Sequence, residues 1–159
     1  MTTDTTATTA DQAVNHSYNE FVLQLPSHWK EMPSVEKDTL IFRSDIEQAT
    51  ITINAEFYVI PAEKFDAIAA HMADSRLQGL QQVRSDKINV LSREIKPIEG
   101  GEGREVIFGA EIPGERIFLY LGYVTPNKVF NCTLACQPDR NAAAALFDRV
   151  IPNLQVKLP

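Results

Sequence analysis

The sequence has no long apolar run, no leader-like start, no paired histidines and no catalytic elbow, and each absence removes a class of function. No window is apolar enough to span a bilayer. The stretch from Met1 to Ser17 lacks the basic start and apolar centre of a signal peptide and has no cysteine for a lipid anchor. The expected compartment is therefore cytoplasmic, with no stable membrane insertion. His16, His28 and His71 fall in no His-x-x-x-His or His-x-x-Glu spacing, so no metal is expected. No G-x-S-x-G motif is present to raise a serine on a strained turn. With no nucleophile and base to pair, the chain reads as a protein that is not an enzyme and uses no cofactor.

Positive charge is also in short supply. A net charge of -6 gives no electrostatic reason to approach phosphate backbones or anionic lipid, so nucleic acid is not an expected partner. The 2 cysteines, Cys132 and Cys136, lie in one predicted strand, roughly 13 Å apart and well beyond the ~7 Å limit for a bridge. Their apolar neighbours favour packing of free thiols over redox or metal chemistry.

What the chain does have is strand alternation. At 159 residues it suits one domain with one core. Residues 1–17 are rich in Thr, Ala, Asp and Gln and are expected to form a flexible tail, leaving residues 18–159 as the domain. Phe21, Leu23 and Leu25 mark a first strand, followed by a turn through Ser27, His28 and Trp29. The Trp29 ring is expected over the edge of the core. A polar connection leads to a short strand at Thr39–Phe42, and Ala49–Tyr58 alternates Ile51, Ile53, Ala55 and Phe57 against Thr50, Thr52, Asn54 and Glu56.

Pro61 opens the main helix, with Phe65, Ile68, Ala69, Met72, Leu80 and Val83 in one stripe that Arg76 and Gly79 interrupt. Strands are expected over Ile88–Ile98 and Glu105–Ala110. The intervening Glu99-Gly100-Gly101-Glu102-Gly103 is a hairpin loop; its glutamates repel phosphate and a strand follows it instead of a helix. Ile112-Pro113-Gly114-Glu115 suits a type II turn. The central hairpin then runs from Glu115 to Cys136, turning at Thr125-Pro126-Asn127-Lys128. A second helix begins at Pro138-Asp139 and stops at Pro152, and Leu154–Val156 can close the sheet.

One sheet face is mixed in character. Thr39, Ile41, Thr52, Asn54, Phe118, Tyr120, Asn131 and Thr133 share it if the strands keep a common register. Either the second helix covers this face, or it forms a partly open groove for an apolar segment. On the groove reading the client-binding residues are Thr39, Ile41, Thr52, Asn54, Phe118 and Tyr120, and Ile41→Asp or Tyr120→Asp should abolish binding without unfolding the chain.

The order strand, strand, strand, long helix, four strands, helix resembles the PsbP-like fold, an α+β antiparallel sheet of about six to seven strands flanked by two main helices. Tyr18-Asn19-Glu20-Phe21 through Leu25-Pro26-Ser27-His28-Trp29, followed by Leu40-Ile41-Phe42, is similar to the start of the DcrB-related family. In that family an extended strand runs into Leu-Pro-x-x-Trp. Its members without a lipoprotein signal include the effector-associated chaperones of bacterial type VI secretion. The resemblance implies a cytosolic chaperone that shields apolar segments of a secreted effector protein on its sheet and pairs as a homodimer. Carried onto this sequence, Thr39 and Ile41 face the client while Leu40 and Phe42 enter the core. The alternative is a small-molecule-binding or assembly module of the same fold, marked by a closed pocket.

Overall fold

Two antiparallel sheets and two helices build the described part of the chain in the computed structural model, which covers residues 12–36, 38–84 and 87–158. In chain order these are β1 (Ala13–Ser17), β2 (Phe21–Pro26), β3 (Trp29–Met32), β4 (Thr39–Ser44), β5 (Ala49–Phe57) and α1 (Phe65–Val83). There follow β6 (Asn89–Pro97), β7 (Arg104–Ile112), β8 (Arg116–Val124), β9 (Lys128–Cys136), α2 (Arg140–Val150) and β10 (Leu154–Val156). Short 3-10 turns, Ala62–Lys64 and Ile151–Asn153, precede α1 and follow α2. No described helix is long and apolar enough to cross a membrane.

The central hairpin forms as its alternation dictates. Ile117 pairs with Cys136 and Val124 with Val129, and the Thr125 hydroxyl accepts the Lys128 amide at 3.1 Å to close the turn. Around it the large sheet runs β3-β4-β5-β9-β8-β7-β6. Gly114, at φ +75°, takes the left-handed position of the expected type II turn, where the Glu115 amide reaches the Ile112 carbonyl at 2.9 Å. The loop before β7 ends at Gly103, φ +127°, where a Cβ would lie 2.0 Å from the Val124 carbonyl oxygen. That loop is a hairpin connection between β6 and β7, as its context requires.

The two faces of the large sheet are filled differently. On one face Ile51, Ile53, Phe130, Leu134 and their neighbours are buried beneath α2 and β2, with Leu146 and Phe21 among the covering side chains. Asp139 caps α2, its carboxylate accepting the Ala142 amide at 3.1 Å. β2 belongs to a three-stranded sheet, β1-β2-β10, laid over this face. Lys128, buried at the start of β9, fastens that sheet by donating to Glu20 Oε1 at 2.7 Å and to the Lys157 carbonyl. The opposite face carries α1, whose Phe65, Ala69, Met72 and Ala73 bury Val106, Phe108, Ala110 and Val124.

Four expectations are corrected here. Ala13–Ser17, read as part of a flexible tail, is a strand, because β2 supplies its hydrogen-bond partners and the His16 ring packs, tilted, 4.8 Å from the Phe42 ring. The remainder of that tail, residues 1–11, lies outside the described residues. Trp29 begins a strand instead of a turn and is buried in the core, while Lys30 and Glu31 supply the exposed, charged positions that suit an edge strand. The second helix, α2, packs on the face opposite the mixed one. Val83, the last residue of α1, is 69% exposed and lies outside the buried stripe of Phe65, Ala69, Met72 and Ala73.

Candidate functional site

The mixed face is one continuous surface because the register is unbroken across it. Met32, Ile41, Thr52, Thr133, Tyr120 and Phe108 face one another in turn from β3 to β7 and make a single cross-sheet row. A second row joins Thr39, Asn54, Asn131 and Gly122. Thr39, Ile41, Thr52, Asn54, Phe118 and Tyr120 therefore do share one face, as do Asn131 and Thr133.

They do not share one environment. Tyr120 is 1% exposed beneath α1, with the Arg76 guanidinium 4.8 Å from its ring centroid. Its hydroxyl donates to Asn131 Oδ1, and Asn131 in turn donates to Asn54 Oδ1 at 2.8 Å. Burial pushes the Tyr120 phenol well above its ordinary pKa, against the opposing pull of Arg76. Tyr120 is thus a core residue with a satisfied hydroxyl, not a surface for a client, and Tyr120→Asp would unfold the helix–sheet contact. Thr39, Ile41, Thr52, Asn54 and Phe118 are half-exposed, and among the strands α1 packs chiefly against β6, β7 and β8. Thr39 also donates to Glu36 Oε2 at 3.1 Å.

Along its flank facing the uncovered strands, α1 forms the wall of a groove. One cavity of about 470 Å³ lies between the start of α1 and the β5–β9 floor, with Ile68, Met72 and Val129 among its apolar lining and Lys64 and Asn131 among its polar lining. A second of about 300 Å³ continues along α1 over Phe108, Phe118 and Thr133. Ser75 and Arg76 line both. At the rim of the first cavity, Tyr58 and Val59 stand exposed at 52% and 95%. The hydrogen bond Tyr58 donates to Glu56 raises its phenol pKa.

Arg76 is the groove residue that sequence reasoning passed over, although its signal was visible: a cation interrupts the apolar stripe of α1. Met32 of the uncovered half also escaped notice, because β3 was read as a connection. Chemistry elsewhere is quiet. Burial pushes the Cys132 thiol up to about 12 and the Cys136 thiol to about 11, so both are poor nucleophiles in the folded chain. Among the described residues, no three His, Cys, Asp or Glu side chains gather in a way that could hold a metal ion.

No family model matches the chain, and no curated protein matches it. Among solved structures, it is similar to the solution structure of cyanobacterial PsbP (CyanoP) from Synechocystis sp. PCC 6803, with a TM-score of 0.69 at 16% identity. That match covers 92% of this chain and 94% of the other. A crystal structure of a protein from Bacteroides thetaiotaomicron matches at a TM-score of 0.47 and 14% identity over 49% of its length, too weak a likeness to bear on the fold. The CyanoP match and the antiparallel sheet with its two helices agree: this chain has a PsbP-like α+β fold.

Proposed function

We propose that this protein is a non-enzymatic binding protein that shields an apolar segment of a protein client from water. The observation that carries the proposal is the half-covered face: Ile41, Thr52, Thr133 and their neighbours lie in register with a helix-covered core but, among the described residues, keep solvent contact instead of being buried by a helix. Such a surface can accept an apolar segment by burial alone, at ~25 cal/mol per Å² of apolar area, while threonine and asparagine satisfy polar groups of the client. The resemblance to effector-associated chaperones of type VI secretion supplies the more specific version. On that version the client is a secreted effector carrying transmembrane segments, the complex forms in the cytoplasm, and two copies of the chaperone pair.

The cavities beside α1 open onto the uncovered strands, sharing Asn131 and Thr133 with them, which favours a client segment over a small molecule in a closed pocket. Capture from native cells followed by mass spectrometry tests the reading. A stoichiometric partner with apolar segments, lost in Ile41→Asp, is the expected result. A partnerless protein, in cells expressing the secretion genes, contradicts it.

A further inference from the structure

Most arginines here are already engaged. Arg43, Arg84, Arg93, Arg104, Arg140 and Arg149 each sit within ion-pair distance of a carboxylate. Arg116 and Arg76 do not, among the described residues, and they differ in setting. Arg116 is exposed, whereas Arg76 is half-buried against the Tyr120 ring. Acidic side chains are plentiful in a chain of net charge -6, so a shortage of partners does not explain the gap. A half-desolvated guanidinium keeps five directed donors in a planar fork that matches the two oxygens of a carboxylate, the anion a polypeptide side chain supplies.

Its position constrains what it can read. Arg76 stands where the two cavities meet, with Met72 and Val129 lining one and Phe108 and Phe118 lining the other. A ligand filling both places apolar groups on each side of the guanidinium. A fatty-acid-like molecule cannot do this, because its carboxylate is terminal. A polypeptide segment can, if an acidic side chain lies midway along it. The other charges on this groove leave Arg76 free for that role: Glu56 accepts from the Tyr58 hydroxyl at the far end, where Lys64 lies, and His71 contacts Ser75 at 3.3 Å.

We infer that the client segment carries one Asp or Glu between two apolar stretches, and that Arg76 is the residue that recognises it. This rests on the shielding reading above. The test uses the full chain and a soluble carrier protein fused to an apolar Leu/Ala segment of about twenty residues, made in three forms with central Glu, Gln or Lys. With the unaltered chain, the Glu segment should bind about tenfold to a hundredfold more tightly than the Gln segment, the range expected of a hydrogen-bonded charge pair. Arg76→Gln should abolish that preference, Arg76→Lys should retain part of it, and Arg76→Glu should favour the Lys segment, with circular dichroism verifying each fold. Equal binding of Glu and Gln segments, or a Glu preference that survives Arg76→Gln, overturns the inference and leaves the shielding reading standing. Binding of none of the three, with decanoate bound instead, overturns both and assigns the groove to a small amphiphile.

Discussion

Between β8 and β9 the face that carries α1 changes character. On β8 and β7 it presents Tyr120, Phe108, Val106, Ala110 and Val124, all buried. On the β9–β3 side, in the same rows, it presents Thr133, Thr52, Thr50, Ile41 and Met32, which keep solvent contact. Strand spacing accounts for the boundary. A helix about 10 Å wide covers roughly two intervals of ~4.8 Å, and a seven-stranded sheet has more intervals than one helix can cover. Large apolar side chains predominate where the helix lies; threonines, which suit strands and tolerate water, outnumber Ile41 and Met32 where it does not. What separates core from solvent-contacting surface here is therefore the reach of α1, not the face on which a residue lies.

The comparison can be broken most forcefully at Tyr120. Tyr120→Ala empties a fully covered position and leaves Asn131 without its donor, so a loss of about 3–5 kcal/mol is expected in denaturant unfolding, as for other large buried aromatics. A smaller effect follows at Gly122, where a Cβ would meet the Tyr120 hydroxyl at 2.3 Å and Met72 Cε at 2.6 Å. Gly122→Val should cost about 1–3 kcal/mol by lifting α1 from β8, seen as a lower melting temperature. Gly79, also on α1, has nothing within 4 Å of its would-be Cβ. Gly79→Ala should therefore stabilise the chain by up to about 1 kcal/mol through helix propensity, roughly 2–4 °C in melting temperature. If Gly122→Val were harmless and Gly79→Ala destabilising, the covered and open halves would have been assigned the wrong way round.

Much of this arrangement was legible in the sequence because it rests on local signals. Alternation through Ile117–Cys136, the Thr125–Lys128 turn, the Pro113-Gly114 turn and the Asp139 cap each declare themselves over a few residues. Register also followed from alternation, since a one-residue slip would have put Thr52 and Thr133 into the core. What alternation cannot encode is which part of a face another element covers. Phe118 and Tyr120 have the same parity on β8, yet only Tyr120 is buried. Ala13–Ser17 was missed for a related reason: its stability comes from β2, distant pairing that its own composition does not reveal. Trp29, similarly, is held in the core through pairing of β3 with β4 across a polar connection.

Purification of the tagged protein from its native cells, unaltered and as Ile41→Asp, side by side with melting of both, tests the central claim most directly. Ile41 is half-exposed in the uncovered half, so the substitution should cost only about 1 kcal/mol, near 2–4 °C. The expected result is a stoichiometric partner bearing apolar segments on the unaltered protein and none on Ile41→Asp. A partner retained equally by both, or an Ile41→Asp chain that fails to fold, would show that the uncovered half of the sheet is not the binding surface.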